Sequence, residues 1–214
     1  MKTQDTQVFR LVLIQSVNHI IQLVNYISKV IGDQFATPTE MESQTSIRIN
    51  GDYPNKSKYV RVSSILDTVD YLNENGVDLQ EVVDTRLYPD MASFQFQVTS
   101  VAHHSMGALK GAEAGRFSPP KGYGEPDYAG LQLLVKEALT YVNDFDQVRV
   151  EAITSKAMVF KIGDNELPFT VENFLMSFSI PNLHFHATTT YDILRMKGVP
   201  LGKMDYLGAM RMGS

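Results

Sequence analysis

The chain has 214 residues, with 19 Lys+Arg against 24 Asp+Glu for a formal charge of −5, 43% apolar residues, and neither Cys nor Trp. That composition fits one globular domain able to bury roughly 70% of its unfolded surface. It excludes a disulfide scaffold, a Cys-ligated zinc module and a thiol nucleophile, and its mild acidity speaks against a nucleic-acid partner.

Phe9, Leu13, Val17, Ile20, Val24, Ile27 and Ile31 recur at three- and four-residue steps, which predicts a long helix over about residues 6–31. Arg10, Gln15, Asn18, His19, Gln22, Asn25 and Lys29 interrupt the run, so it reads neither as a membrane span nor as a secretory signal. A soluble cytoplasmic protein with no membrane partner is the expectation. Residues 33–58 are polar, with Pro38, Asn50-Gly51 and Pro54, and read as an insertion loop or lid, or as a disordered surface decoration.

A second helix is predicted from Val60 to Asn75, stopped by Gly76. Asp78 and Glu81 have the spacing of a capping box for a short helix. After Leu87-Tyr88-Pro89-Asp90, Asp90 is a good N-cap for a helix from Met91 to Ala114. The segment 115–126 is rich in Gly and Pro. Asp127 then caps a helix from Tyr128 to Asn143. Residues 157–162 and 166–170 flank Gly163-Asp164-Asn165 as a small β-hairpin would. A last helical stretch runs from Val171 to Lys197, with a kink or break expected at Pro181 and a stop at Gly198. Long apolar-striped helices with one short hairpin predict an all-α antiparallel four-helix bundle, a single domain over 1–214.

Candidate chemistry rests on five histidines: His19, His103, His104, His184 and His186. Two ligands on one helix should stand three or four residues apart. His184 and His186 are two apart and point to opposite sides; His103 and His104 are adjacent, on the flanks of a stripe marked by Met91, Gln95, Val98, Ala102, Ser105 and Leu109. There is no His-x-x-x-His. Gln95 shares the stripe, and Gln97 is a second amide on the same helix; a buried amide needs a partner and can orient a ligand. His184, Thr188, Tyr191 and Arg195 step by four, three and four along one helical side. They could bind an oxygenated or anionic ligand, or form a hydrogen-bonded seam between elements. Gly198-Val199-Pro200-Leu201-Gly202-Lys203 lacks P-loop length and context, and reads as a turn folding the tail back over the helices.

Leu87-Tyr88-Pro89-Asp90-Met91, Gln95, Gln97, the run Pro181 to His186, Thr189, Tyr191, Ile193-Leu194-Arg195, Gly198-Val199 and the run Gly202 to Gly208 resemble a branch of unknown function within the DinB-like (YfiT-like) metalloenzyme superfamily. The likeness covers about residues 60–208; the N-terminal helix and its loop depart from it. The resemblance implies a DinB-like four-helix bundle, often dimeric. It also implies a divalent metal held by three histidines in better-studied relatives, some of which transfer thiols or hydrolyse small molecules. Here His103, His104 and His186 are the metal candidates, and the spaced pair on the last helix is missing.

Three functions follow as expectations. The first is a small-molecule enzyme or binder with a pocket among the helices, a cofactor-free isomerase, cyclase or dehydratase. Its catalytic candidates are His186, His103, His104 and Tyr191; its substrate-binding candidates are Gln95, Gln97, His184, Thr188 and Arg195. The second is a metal-dependent transferase or hydrolase, with His103 or His104 and His186 as ligands and His19 or His184 as further candidates. The third is a non-catalytic module that serves as a homodimer.

Overall fold

The computed structural model describes residues 68–120 and 123–207, together with Val24 and Ile27. The remainder of the predicted first helix, the insertion 33–58 and His19 lie outside the described residues. Val24 and Ile27 are helical and fully buried in the common core, as their place in the stripe requires.

Helix α1 spans Thr68–Glu74, and Gly76 ends it at φ +69°. Helix α2, Leu79–Asp84, starts as expected: the Asp78 carboxylate accepts from the Gln80 N–H. Glu81 pairs with Lys197 at the far end of the chain. Helix α3, Phe94–Ala102, begins three residues later than the sequence suggests. The Met91 N–H donates to the Tyr88 carbonyl, so Asp90 is consumed in a turn, and Ser93 takes the N-cap position.

The stretch expected as one helix from 91 to 114 is then interrupted. Residues His103–Gly107 form a π-helical turn, after which α4 runs over Ala108–Ala114 and stops at Gly115, φ +72°. Strand β1 is Arg116–Phe117. Helix α5, Tyr128–Asn143, has the predicted bounds, capped by Asp127 accepting from the Gly130 N–H. Helix α6, Gln147–Ile153, was not expected from the sequence; Asp146 caps it in the same way. Arg149 on α6 forks onto the two carboxylate oxygens of Glu113 at 2.8 and 2.9 Å, and its guanidinium lies over the rings of Tyr141 and Phe145. This cluster fastens α6 to α4 and α5.

The hairpin is β2, Ala157–Ile162, and β3, Asn165–Thr170. Ile162 pairs with Asn165, so the loop is two residues, Gly163-Asp164, with Gly163 at φ +57° as such a turn demands. Asn165 belongs to the strand. Pro168 is tolerated because β3 is the edge of the sheet. β1 adds to the other side of β2 in parallel, pairing Phe117 with Phe160, so the hairpin is part of a three-stranded sheet.

Helix α7, Val171–Phe174, leads into a second π turn, Leu175–Ser179, and then α8, Ile180–Met196. The break expected at Pro181 is this π turn. The Ile180 N–H reaches back five residues to the Leu175 carbonyl, and Pro181 falls in the first turn of α8, where a missing donor costs little. Gly198, φ +90°, is the expected stop. Helix α9, Lys203–Leu207, closes the described chain. α8 packs on α3, and α3 on α5. The protein is thus mostly helical with a small three-stranded sheet. Among the described residues no helix is long and apolar enough to cross a membrane.

Candidate functional site

The two π turns bring polar groups together that regular helices would have separated. A π turn takes i→i+5 hydrogen bonds and re-aims the side chains it carries; such turns occur often at functional sites. His103 and His104, expected on the two flanks of a stripe, are both buried, at 9% and 8% exposure. Their ring centroids are 5.6 Å apart. His186, from α8, is buried to the same degree, and its ring lies 5.9 Å from that of His104 and nearly parallel to it. Ser179, the last residue of the second π turn, donates its hydroxyl to the His104 carbonyl at 2.9 Å. Phe117 of β1 packs against the rings of His103 and His104 at 4.5 and 5.7 Å. Phe174 and Phe178 continue that aromatic wall.

The hydrogen bonds assign each imidazole a tautomer. His103 Nε2 faces the Ser118 carbonyl at 2.9 Å; a carbonyl only accepts, so Nε2 carries the proton, and Nδ1 accepts from the Tyr123 hydroxyl at 3.3 Å. For His186 the key is Gln97. The Gln97 amide nitrogen donates to the Ala92 carbonyl at 3.0 Å, which turns the amide oxygen toward His186 Nδ1 at 2.7 Å. Nδ1 therefore carries the proton, and Nε2 is left with its lone pair. His104 is alike. The Ser179 hydroxyl proton is committed to a carbonyl, so the 3.4 Å contact between its oxygen and His104 Nδ1 has the imidazole as donor. The hydrogen bonds of these two rings run through Nδ1, and among the described residues neither Nε2 has a hydrogen-bond partner.

Burial keeps these rings neutral. It pushes His186 down to about 4 and, with the neighbouring His103 and His186 adding repulsion, His104 down to about 3. His103 is lowered by burial too, against a smaller opposing effect of the Ser118 carbonyl.

The Gln97 side chain is buried at 1% exposure, whereas Gln95 is half-buried with a long 3.5 Å contact to the Gly124 carbonyl. The amide on the inner face is thus Gln97, one place round from the predicted stripe. The other polar constellation is engaged with the C-terminal segment. His184 Nδ1 and Thr188 Oγ1 meet the Tyr206 hydroxyl at 3.1 and 3.2 Å, and the Tyr191 and Tyr206 rings meet edge to face. Arg195 donates to the Val199 carbonyl at 3.0 Å. These four residues form the seam that seats α9, and the tail folds back as the glycine-flanked turn suggested. An open surface hollow is lined by Leu133, Lys136, Glu137, Thr140, Tyr141 and Asp144, and none of the candidate residues lines it.

Sequence reasoning missed Ser179, Tyr123, Ser118 and the aromatic wall. It also missed Phe96 and Phe185, which meet the His186 ring edge-on at 5.8 and 5.3 Å while remaining 46% and 57% exposed. Gly107 has a clear role: a Cβ there would lie 3.0 Å from His103 Nδ1. Gly107→Ala is therefore expected to displace the His103 ring and break its contact with Tyr123. Loss of the Nε2–H tautomer at residue 103, read by ¹⁵N NMR of the imidazoles, checks this.

The family model for a domain of unknown function, DUF1993, matches residues 55–207. The chain belongs to the DUF1993 family. A crystal structure of a DinB family member protein from Shewanella denitrificans matches with a TM-score of 0.59 at 21% identity, covering 97% of this chain and 96% of that one. This DUF1993 chain is therefore DinB-like in fold. No curated protein matches it.

The resemblance stated from the sequence implies a divalent metal, and the donor set can be tested against one. A catalytic site needs about three protein ligands and an open position. His103 spends both nitrogens on Ser118 and Tyr123, which leaves two imidazole nitrogens. Among the described residues no group of three His, Cys, Asp or Glu side chains is placed to hold one ion. The described donors do not fit a three-ligand metal centre.

Proposed function

We propose that this DUF1993 protein is a small-molecule-binding protein and cofactor-free enzyme whose site is the Nε2 edge of His104 and His186. The observation that carries the reading is the pair of buried imidazoles from α8 and the first π turn, each with its Nδ1–H held by the protein and its Nε2 lone pair left over. His103, by contrast, spends both its nitrogens, on Tyr123 and Ser118.

The chemistry such a pair supports is proton transfer of the isomerase or dehydratase kind. A base of pKa about 4 is weak, but at neutral pH it is always in its basic form, as a carboxylate is, and here it carries no charge. His186 would take a proton and His104 would hold the substrate oxygen or nitrogen, with Gln97 fixing the His186 ring. Tyr191 and Arg195, engaged with the tail, would help only by anchoring α9. We place the site in a DinB-like four-helix arrangement, which the fold likeness and the α3–α5 and α3–α8 packing support.

The test is a thermal-shift screen of small polar and aromatic compounds on wild type and His186→Ala. Compounds that raise the wild-type Tm and lose their effect in the variant are expected. Hits that stabilise both proteins equally would remove the site. A metal-dependent enzyme would instead show a stoichiometric divalent ion in untagged protein, lost in His186→Ala.

A further inference from the structure

Resting on that reading, we infer that the site selects an uncharged ligand that offers two hydrogen-bond donors, a dihydroxylated ring compound, rather than an anion. The polarity of the two open nitrogens carries this. Gln97 fixes a proton on Nδ1 of His186 at 2.7 Å, and Ser179, its own proton given to the His104 carbonyl, favours one on Nδ1 of His104 at 3.4 Å, so both Nε2 atoms stand as acceptors. An acceptor pair has nothing to give a carboxylate or phosphate oxygen; it would face it lone pair to lone pair. Protonation, which would reverse the polarity, is opposed because the rings are buried side by side.

Among the described residues no arginine is shown against either ring. The described arginines are committed elsewhere: Arg86 to the Met91 carbonyl, Arg116 to Glu166, Arg149 to Glu113 and Arg195 to the Val199 carbonyl. The flanks are apolar. Phe96 and Phe185 stand edge-on to His186 and remain about half exposed, an arrangement that suits the flat face of a ring. Two acceptors between aromatic walls describe a ligand with two O–H groups on an apolar body.

The experiment uses the full chain labelled with ¹⁵N-histidine, titrated at pH 7 with catechol, with its dimethyl ether, and with benzoate, in buffer containing EDTA. Before any ligand is added, His104 and His186 are expected as Nδ1–H tautomers and His103 as Nε2–H. Catechol is expected to shift the Nε2 resonances of His104 and His186. The ether, which keeps the ring but has no donor, and benzoate, which is anionic, are expected to bind at least about tenfold more weakly, as sites built for a hydroxyl reject analogues lacking it.

An Nε2–H tautomer at His186, or benzoate binding as well as catechol, overturns the donor-ligand inference while leaving a small-molecule site in place. Catechol shifts that appear only when EDTA is replaced by Zn²⁺ also overturn it. If none of the three compounds moves any histidine resonance, the inference and the proposed site fall together. The tautomer measurement needs only wild-type protein, so it stands whether or not variants fold.

Discussion

Acidification from pH 7.5 to pH 5 is expected to destabilise the protein by roughly 4 kcal/mol. The histidine cluster is the cause. His104 and His186 have folded values of about 3 and about 4, against 6.5 for an ordinary histidine. Both folded values are depressed, so the unfolded chain binds protons that the folded chain refuses. Stability is full above about pH 6.5. It falls as pH drops below that value, and continues to fall until the folded values are reached. Between 6.5 and 5, each ring contributes about 1.36 kcal/mol per pH unit, or roughly 2 kcal/mol. Two rings give roughly 4 kcal/mol, a large share of the 5–15 kcal/mol typical of a domain.

Urea unfolding at pH 7.5, 6.0 and 5.0 checks this. The midpoint should fall steeply across the series, and His104→Gln should flatten the slope, since Gln does not titrate. A midpoint that stays constant down to pH 5 would show that the rings accept protons in the folded protein, and the neutral-imidazole site would lose its basis. Arg149 with Glu113 does not confound the experiment. The guanidinium holds the Glu113 carboxyl below its ordinary range, so that pair weakens only at more acid pH.

The helical wheel located the histidines but could not foresee their convergence. Apolar periodicity is a strong signal over long segments, and α5 has the bounds that Asp127 and its stripe predict. The hairpin was readable from alternation around Gly163. What the wheel cannot show is an extra residue in a turn. A regular helix over 91–114 puts Gln95 inward and splits His103 from His104. The π turn at 103–107 buries both rings, and the observed helix places Gln97 inward in place of Gln95. Nothing in local composition marks that turn except Gly107, whose missing side chain makes room for His103. Pro181 did announce an irregularity in the last helix. Its consequence, Ser179 aimed at the His104 carbonyl 75 residues away in sequence, is a tertiary fact. The two-residue strand β1 was missed because Arg116–Phe117 is too short to have a period.

The second large effect is expected from Phe174→Ala. Phe174 is fully buried where α7 enters the second π turn. Its ring meets Phe117 at 4.8 Å, Phe178 at 5.6 Å, Phe169 at 5.9 Å and Phe160 at 6.2 Å. It therefore joins all three strands to the turn that positions Ser179. Truncating such a ring costs the transfer energy of the lost carbons and leaves a cavity that its neighbours fill only in part, about 3–5 kcal/mol in all. For a chain of this size that corresponds to a fall in Tm of about 10 °C. The effect should extend beyond stability. Phe117 is packed between Phe174 and the His103 ring, 4.5 Å from the latter, so its relaxation into the cavity removes the wall behind His103. Imidazole resonances of His103 and His104 should broaden or shift in the variant, while His186, held by Gln97 on α3, should move less. Phe174→Leu, which keeps most of the volume, separates the two effects: it should recover most of the Tm and restore the His103 signal. A loss below about 1 kcal/mol in Phe174→Ala would mean that the sheet does not brace the histidine cluster, and that the two π turns hold their geometry through α3 and α8 alone.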